Sequence, residues 1–240
     1  MLKAVSNALI SLLYPQACSL CKQGVEDSAD GSACRDCWKQ TKIFSNRDIL
    51  CAKCGIFLRE SAHIVEAFCH LCDDHLYDSA RAVGVYENAL SASVIRLKHV
   101  PSVAQTTRKH LINCFDRSPF INTNLIVPVP LSKKRLLERG FNQAAVLARI
   151  LSKTSNIPID EHSLVRSVHT PMHRVAMDKK ARELTVKNAF AVTRPKLVSG
   201  KNILLIDDVF TSGSTVSHCA KVLKKNGAAS VNVLTLARAV

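Results

Sequence analysis

The chain has 240 residues, 47% of them hydrophobic, which suffices for one good core with a smaller appendage beside it. No apolar run is long enough to cross a bilayer. Thirty-three Lys and Arg stand against 19 Asp and Glu, and the excess is uneven: residues 1–78 hold 8 basic and 10 acidic side chains, net −2, whereas residues 79–240 hold 25 and 9, net +16. That is more than solubility needs, and it points to phosphate-rich partners, small or polymeric.

The N-terminal "MLKAVSNALISLLYP" has the apolar run of a weak export signal but no A-x-A-like cleavage site. Leu2, Val5, Leu9, Leu12 and Leu13 recur at helical spacing. The expectation is a short amphipathic helix packed on the body of a cytoplasmic protein.

Eight of the ten cysteines follow, in four pairs: Cys18 and Cys21, Cys34 and Cys37, Cys51 and Cys54, Cys69 and Cys72. Twelve, thirteen and fourteen residues separate successive pairs. Two thiolates three residues apart can share one tetrahedral metal, and two such knuckles complete its shell, so the pattern predicts two structural zinc ions. A disulfide framework suits a small secreted domain and fits this segment poorly. Sequential pairing would give two ribbons and interleaved pairing a cross-brace; both are open, with ribbons favoured. His63, His70 and His75 are unnecessary as ligands and read as surface residues. Cys114 and Cys219 lie on helical patterns and read as small core residues.

From about residue 79 the texture changes. "ARAVGVY" (80–86) alternates as a strand does, and 88–100 and 102–115 read as helices. "NLIVPVP" (124–130) is a buried strand, and 140–156 is helical. The stretch 166–187 is basic and weakly periodic. "NAFAVT", "NILLID", a helix near 214–225 and "SVNVLTLAR" complete the chain. Short apolar strands alternating with helices predict an α/β fold with a mainly parallel sheet flanked by helices. The division expected is a zinc-binding domain over 1–78 and a second domain over 79–240.

"NILLIDDVFTSGST" ends an apolar strand in two acids and continues into a loop of small hydroxylated residues around one glycine. Such sheets bind ligands where strand ends lead into helices. Backbone amides at a helix N-terminus, with the Thr211, Ser212, Ser214 and Thr215 hydroxyls, suit a phosphate, and Gly213 permits close approach. No lysine follows the glycine, so this is not a Walker A loop, and one glycine falls short of a dinucleotide fingerprint.

The stretch resembles the 5-phosphoribosyl-1-pyrophosphate (PRPP) motif of type I phosphoribosyltransferases. The resemblance implies that Asp207 and Asp208 hold the ribose hydroxyls while Val209, Phe210 and Thr211 to Thr215 wrap the 5′ phosphate. Taken with the cysteine knuckles, "LKHV", "VPVPLSKKRLLERGFNQA", "LVRSVHTPMH", "NAF" and the terminal "LAR", the chain resembles the ComF family nearly end to end. Those competence-associated proteins join a double zinc ribbon to a phosphoribosyltransferase-like domain. "PVPLSKKR" stands in place of the pyrophosphate loop, which implies that Arg135, with Lys133 and Lys134, meets the diphosphate and that Mg²⁺ accompanies PRPP. Arg139, Asn142 and Gln143 follow where the next helix begins. Asp207, Asp208 and Arg135 are the catalytic candidates. The chain departs from the family where Thr170 is followed by His173 rather than glutamine and where the spacing to Arg182 is longer.

Three functions are compatible with these residues. One is binding of PRPP and of single-stranded DNA through the basic C-terminal region, in the handling of internalised DNA during natural transformation, with a helicase or translocase of the uptake machinery as partner. Another is a phosphoribosyltransferase, for whose acceptor the sequence carries no pocket signature. The last is a zinc-dependent adaptor with a vestigial PRPP site, against which the intact acid pair and hydroxyl loop weigh.

Overall fold

A computed structural model describes residues 16–58, 68–120, 122–166 and 189–239. The helix expected before residue 15, His63, Thr170, His173 and Arg182 lie outside them. Chain order begins with the first two knuckles and the short helix α1 (Arg35–Lys39), then the third and fourth knuckles. There follow β1 (Ser79–Val85), α2 (Asn88–Leu97), α3 (Gln105–Asp116), β2 (Leu125–Pro128), α4 (Lys133–Arg139) and α5 (Gln143–Ser155). The rest is β3 (Leu164–Arg166), β4 (Phe190–Val192), α6 (Pro195–Val198), β5 (Asn202–Phe210), α7 (Ser214–Lys225) and β6 (Ser230–Arg238).

Among the described residues the main sheet has the order β1-β6-β5-β2, and every pairing in it is parallel. β3 and β4 form a separate antiparallel pair. Parallel strands covered on both faces read as unbroken apolar runs, which is what Ile203 to Ile206 and Val231 to Leu234 provide, apart from Asn232. One face packs Leu90, Val94, Leu111, Leu147 and Leu151 of α2, α3 and α5 on Ile126, Leu204 and Leu234. The other packs Val216, Cys219, Ala220 and Leu223 of α7 on Ile203, Leu205 and Val233. Cys114 and Cys219 are core residues, as their helical positions predicted.

Two local features differ from the sequence-based expectation. The strand predicted to stop before the acid pair continues to Phe210, because β6 keeps pairing with it through Val209 opposite Ala237 and Phe210 opposite Arg238. The expected pyrophosphate loop is largely helical. Ser132 accepts a hydrogen bond from the Arg135 amide, and Gly140 closes the helix at φ 75°. The serine and glycine that start and stop α4 were present in "LSKKRLLERG", masked by a proline-rich approach.

The cysteine-rich segment is built into both faces of the sheet. Cys18, Cys34, Cys37 and Trp38 join the α2/α3/α5 core, while Cys51, Cys54, Cys72 and Tyr77 join the α7 core. Between the ribbons, residues 42–44 run antiparallel along the free edge of β1: Phe44 N donates to Val83 O at 2.9 Å and Val85 N to Lys42 O at 3.0 Å. Gly84 permits this approach, since a Cβ there would stand 2.1 Å from Lys42 O. The open edge of the sheet is thereby covered.

Candidate functional site

β2 and β5 leave the sheet side by side. Pro128 pairs with Ile206, and the Val129 amide donates to Ile206 O at 2.9 Å. That register brings the start of α4, carrying Lys133, Lys134 and Arg135, to the same sheet end as the acid pair. Lys133 and Lys134 are exposed and Arg135 is half-buried.

Asp207 and Asp208 are successive strand residues, so their side chains leave opposite faces of the sheet. Asp208, 8% exposed, meets the N-terminus of α5, where its Oδ2 accepts from Gln143 Nε2 at 3.4 Å. Gln143 is held in turn by Arg139 Nη1 at 2.8 Å, and Asn142 caps α5 through Ala144 N while its own amide donates to Val129 O. Asp207 lies on the α7 side, within electrostatic reach of Arg166 and the Cys219 thiol. Burial, then the neighbouring Asp208 charge, hold its carboxyl well above the usual range. Hydroxyl donors or a cation at such a carboxyl would stabilise its charged form.

Beyond Phe210 the loop turns through Thr211 and Ser212, both exposed, to Gly213 at φ 76°. Gly213 supplies no side-chain cap to α7; the Ser214 amide donates to Ser212 Oγ at 3.4 Å, and the next amides of the first turn point to the same end of the helix, where an anion would be received. Glycine is required there twice over: its φ is left-handed, and an added Cβ would stand 2.6 Å from Phe210 Cζ and 3.0 Å from His75 Nε2. The arrangement offers amides and hydroxyls for a phosphate, carboxylates for hydroxyl groups, and Arg135 for a further anion.

Arg166, at the end of β3, is a residue the sequence reading gave no role. Its guanidinium lies 5.3 Å over the Phe190 ring, its Nε is buried with no hydrogen-bond partner among the described residues, and it feels both Arg135 and Asp207. It stood in "LVRSVHTPMH", but only the fold carries it to the acid pair. His75 is also misplaced by the sequence reading. Where a surface residue was expected, it is half-buried and stacked on Tyr77 at 5.2 Å, whereas His70 is exposed.

The cysteines resolve into the sequential ribbons, Cys18, Cys21, Cys34 and Cys37 in one cluster and Cys51, Cys54, Cys69 and Cys72 in the other. Sulfur separations are 3.7 and 3.6 Å in the first and 3.4 to 3.8 Å in the second. A tetrahedral zinc with Zn–S bonds near 2.3 Å requires sulfurs about 3.8 Å apart, so both clusters fit the ion. Amide donors favour the thiolate: Cys34 N reaches Cys18 Sγ and Cys69 N reaches Cys51 Sγ. Burial pushes the Cys18 and Cys51 thiols up, but knuckle amides outweigh it and bring both down to about 6.

A family model described as "Double zinc ribbon domain" matches residues 9–76, and one described as "Phosphoribosyl transferase domain" matches residues 136–239. Among curated relatives, competence protein ComFC of Bacillus subtilis is 31% identical, over 87% of this chain and 85% of that protein. Competence protein F of Haemophilus influenzae is 31% identical over 92% and 96%, and DNA utilization protein YhgH of Salmonella typhimurium 30% over 95% and 99%. A solved glutamine PRPP amidotransferase from B. subtilis aligns at TM-score 0.40 and 15% identity, over 59% of this chain and 30% of that one, too remote to argue from. With two four-cysteine ribbons, a phosphoribosyltransferase domain and relatives of this identity along nearly its whole length, the chain belongs to the ComF family.

Proposed function

We propose that the protein binds PRPP, or a phosphorylated ribosyl group of the same chemistry, at the sheet end formed by β5, α7 and α4, and that it binds single-stranded DNA through its basic region. The single observation that carries the first half is the loop after β5. With the end of β5 it combines two acids, four hydroxyls, a left-handed Gly213 and the N-terminus of α7 within nine residues. One ligand satisfies all of them: ribose hydroxyls donate to Asp207 and Asp208, and the 5′ phosphate accepts from the loop. Val209 and Phe210 carry the strand into the cradle of Thr211, Ser212, Gly213, Ser214 and Thr215. Arg135, assisted by Lys133 and Lys134, neutralises the diphosphate. Mg²⁺, held by the carboxylates and the diphosphate, would stabilise charge on that leaving group. Asp207, Asp208 and Arg135 are thus the residues on which any transfer chemistry would rest.

The DNA half is supported by charge. Residues 79–240 are net +16, and 1–78 are net −2 before zinc. Each Zn²⁺ with four thiolates lowers the ribbon segment by two more, to −6, so counterion release belongs to the C-terminal part. Twelve aromatics in the whole chain leave few stacking platforms, which favours sequence-blind binding. In this reading residues 1–78 form the zinc part and 79–240 the ligand-binding part. The protein works in the cytoplasm on DNA taken up by the cell, beside a helicase or translocase. Two of its relatives are named competence proteins and a third a DNA utilization protein. The test is calorimetric titration of PRPP with Mg²⁺ into the zinc-loaded protein, with and without a single-stranded oligonucleotide. Saturable binding at one site per chain is expected, and ribose lacking phosphate should not bind. Absence of PRPP binding in folded protein would overturn the reading.

A further inference from the structure

We propose that the second zinc ribbon forms the inner wall of the phosphate loop, and that His75, Tyr77 and Arg238 are positioning residues that set the loop's backbone from the ribbon. The proposal rests on reading that loop as the phosphate site.

Two short routes join the ribbon to the loop. Along the first, Arg238 Nη1 donates to Cys54 O at 2.6 Å, and Nη2 lies 3.6 Å from Cys54 Sγ. The same guanidinium sits 4.3 Å over the Phe210 ring. Along the second, the His75 amide donates to Cys72 O, the His75 ring stacks on Tyr77, and Tyr77 meets Phe210 edge-on with centroids 5.9 Å apart. Phe210 and His75 are the two side chains that crowd Gly213 and leave no room for a Cβ there. The next residue, Leu76, fixes the first turn of α7 by donating its amide to Ser217 Oγ at 3.1 Å. Cysteines of one zinc cluster are thus linked through a few side chains to Phe210 and Gly213 of the loop and to Ser217 in the first turn of α7.

An amide cradle binds an anion well only when its donors are already aimed, because the cost of aiming them otherwise falls on binding. The observed packing supplies that aim. It also carries a cost that a plain core would not keep: Tyr77 Oη and Arg238 Nε are buried with no hydrogen-bond partner among the described residues. Among the described residues the first ribbon has no comparable route. Its contacts run to α2 and α3, through the Trp38–His110 stack, Thr106 on Asp30, and the Ala89 amide on Thr41.

The test is amide hydrogen exchange on full-length, zinc-loaded, ligand-free protein, read on peptides covering residues 211–216, with zinc counted in parallel. Tyr77→Leu should keep both zincs and speed exchange in those peptides about tenfold, with PRPP affinity falling by a similar factor. Tyr77→Phe, which keeps both ring contacts, should restore wild-type exchange. Arg238→Met is the second variant should Tyr77→Leu fail to fold, with the same expectation. Cys21→Ser, in the exposed corner of the first cluster, should lose one zinc yet leave exchange at 211–216 within about twofold of wild type. Unchanged loop exchange in Tyr77→Leu or Arg238→Met with both zincs present would overturn the proposal, as would equal opening of the loop by Cys21→Ser. If wild-type protein showed the expected exchange pattern but no PRPP binding, the ligand would fall and the positioning role would stand.

Discussion

The two zinc ribbons have the same ligand set and nearly the same spacing, yet they lean on different parts of the molecule. The first packs against the starts of α2 and α3: Asn88 donates to Gln40 O, and Gly31 abuts Ala104, where an added Cβ would stand 2.6 Å from Ala104 Cβ. The second packs beneath β1, β6 and the β5–α7 loop. Ala80 N donates to Lys53 O, Arg81 to Ala52 O, and Gly55 lies against Ala80 O. Identical metal chemistry therefore does two jobs. One ribbon braces α2 and α3, while the other backs the loop that would hold the candidate ligand.

Metal removal should break that comparison most severely. Metal analysis of purified protein should return about two zincs per chain. Stripping both should collapse the ribbon segment, since structural zinc contributes about 10–16 kcal/mol in isolated fingers and eight ligand cysteines lack another core of their own. Because ribbon residues belong to both cores, the sheet should lose cooperativity with them, seen as a broadened thermal transition. A sharp unchanged transition after zinc removal would show the ribbons to be passengers.

A smaller effect tests the strap between the ribbons. Gly84→Ala places a methyl against Lys42 O and Leu90, and should cost about 1–3 kcal/mol by overpacking, measured by denaturant unfolding. Gly140→Ala sits in open space but at positive φ, and should cost only about 1 kcal/mol. Equal losses at the two glycines would mean that the strap is not tightly seated.

The acid pair predicts a stability change of opposite sign. Asp207 titrates in the folded protein above its unfolded value, so between the two the native state binds the extra proton. Stability then falls as pH rises through that window, and charged Asp207 is a burden on the ligand-free fold. Asp207→Asn should raise the melting temperature of ligand-free protein at neutral pH and flatten its pH dependence there. Tyr77→Phe should change stability least, because the hydroxyl it removes has no hydrogen-bond partner among the described residues.

Much of this was legible in the sequence because it is local. Four CxxC pairs at near-constant intervals announce two knuckle clusters, and "ILLIDD" followed by small hydroxylated residues announces a strand, an acid pair and an anion loop. The parallel α/β sheet followed from strands alternating with helices. What escaped was set by partners distant in sequence. Only β6 keeps the acids within β5, only the β2–β5 register brings α4 to them, and only the assembled fold turns His75 inward onto Tyr77. Arg238 closes a plain "LAR", and its contact with Cys54 spans 184 residues. The strap at 42–44 offered no periodic signal either, being three residues paired to one free strand edge.

The most direct measurement of the central claim is calorimetric titration of PRPP with Mg²⁺ into wild-type protein and into Asp207→Asn/Asp208→Asn. Each charge-assisted hydroxyl bond contributes about 1.5–3 kcal/mol, so losing two should weaken binding by roughly two to four orders of magnitude. The double variant should remain folded with both zincs bound. Wild-type affinity in that folded double variant would contradict the account.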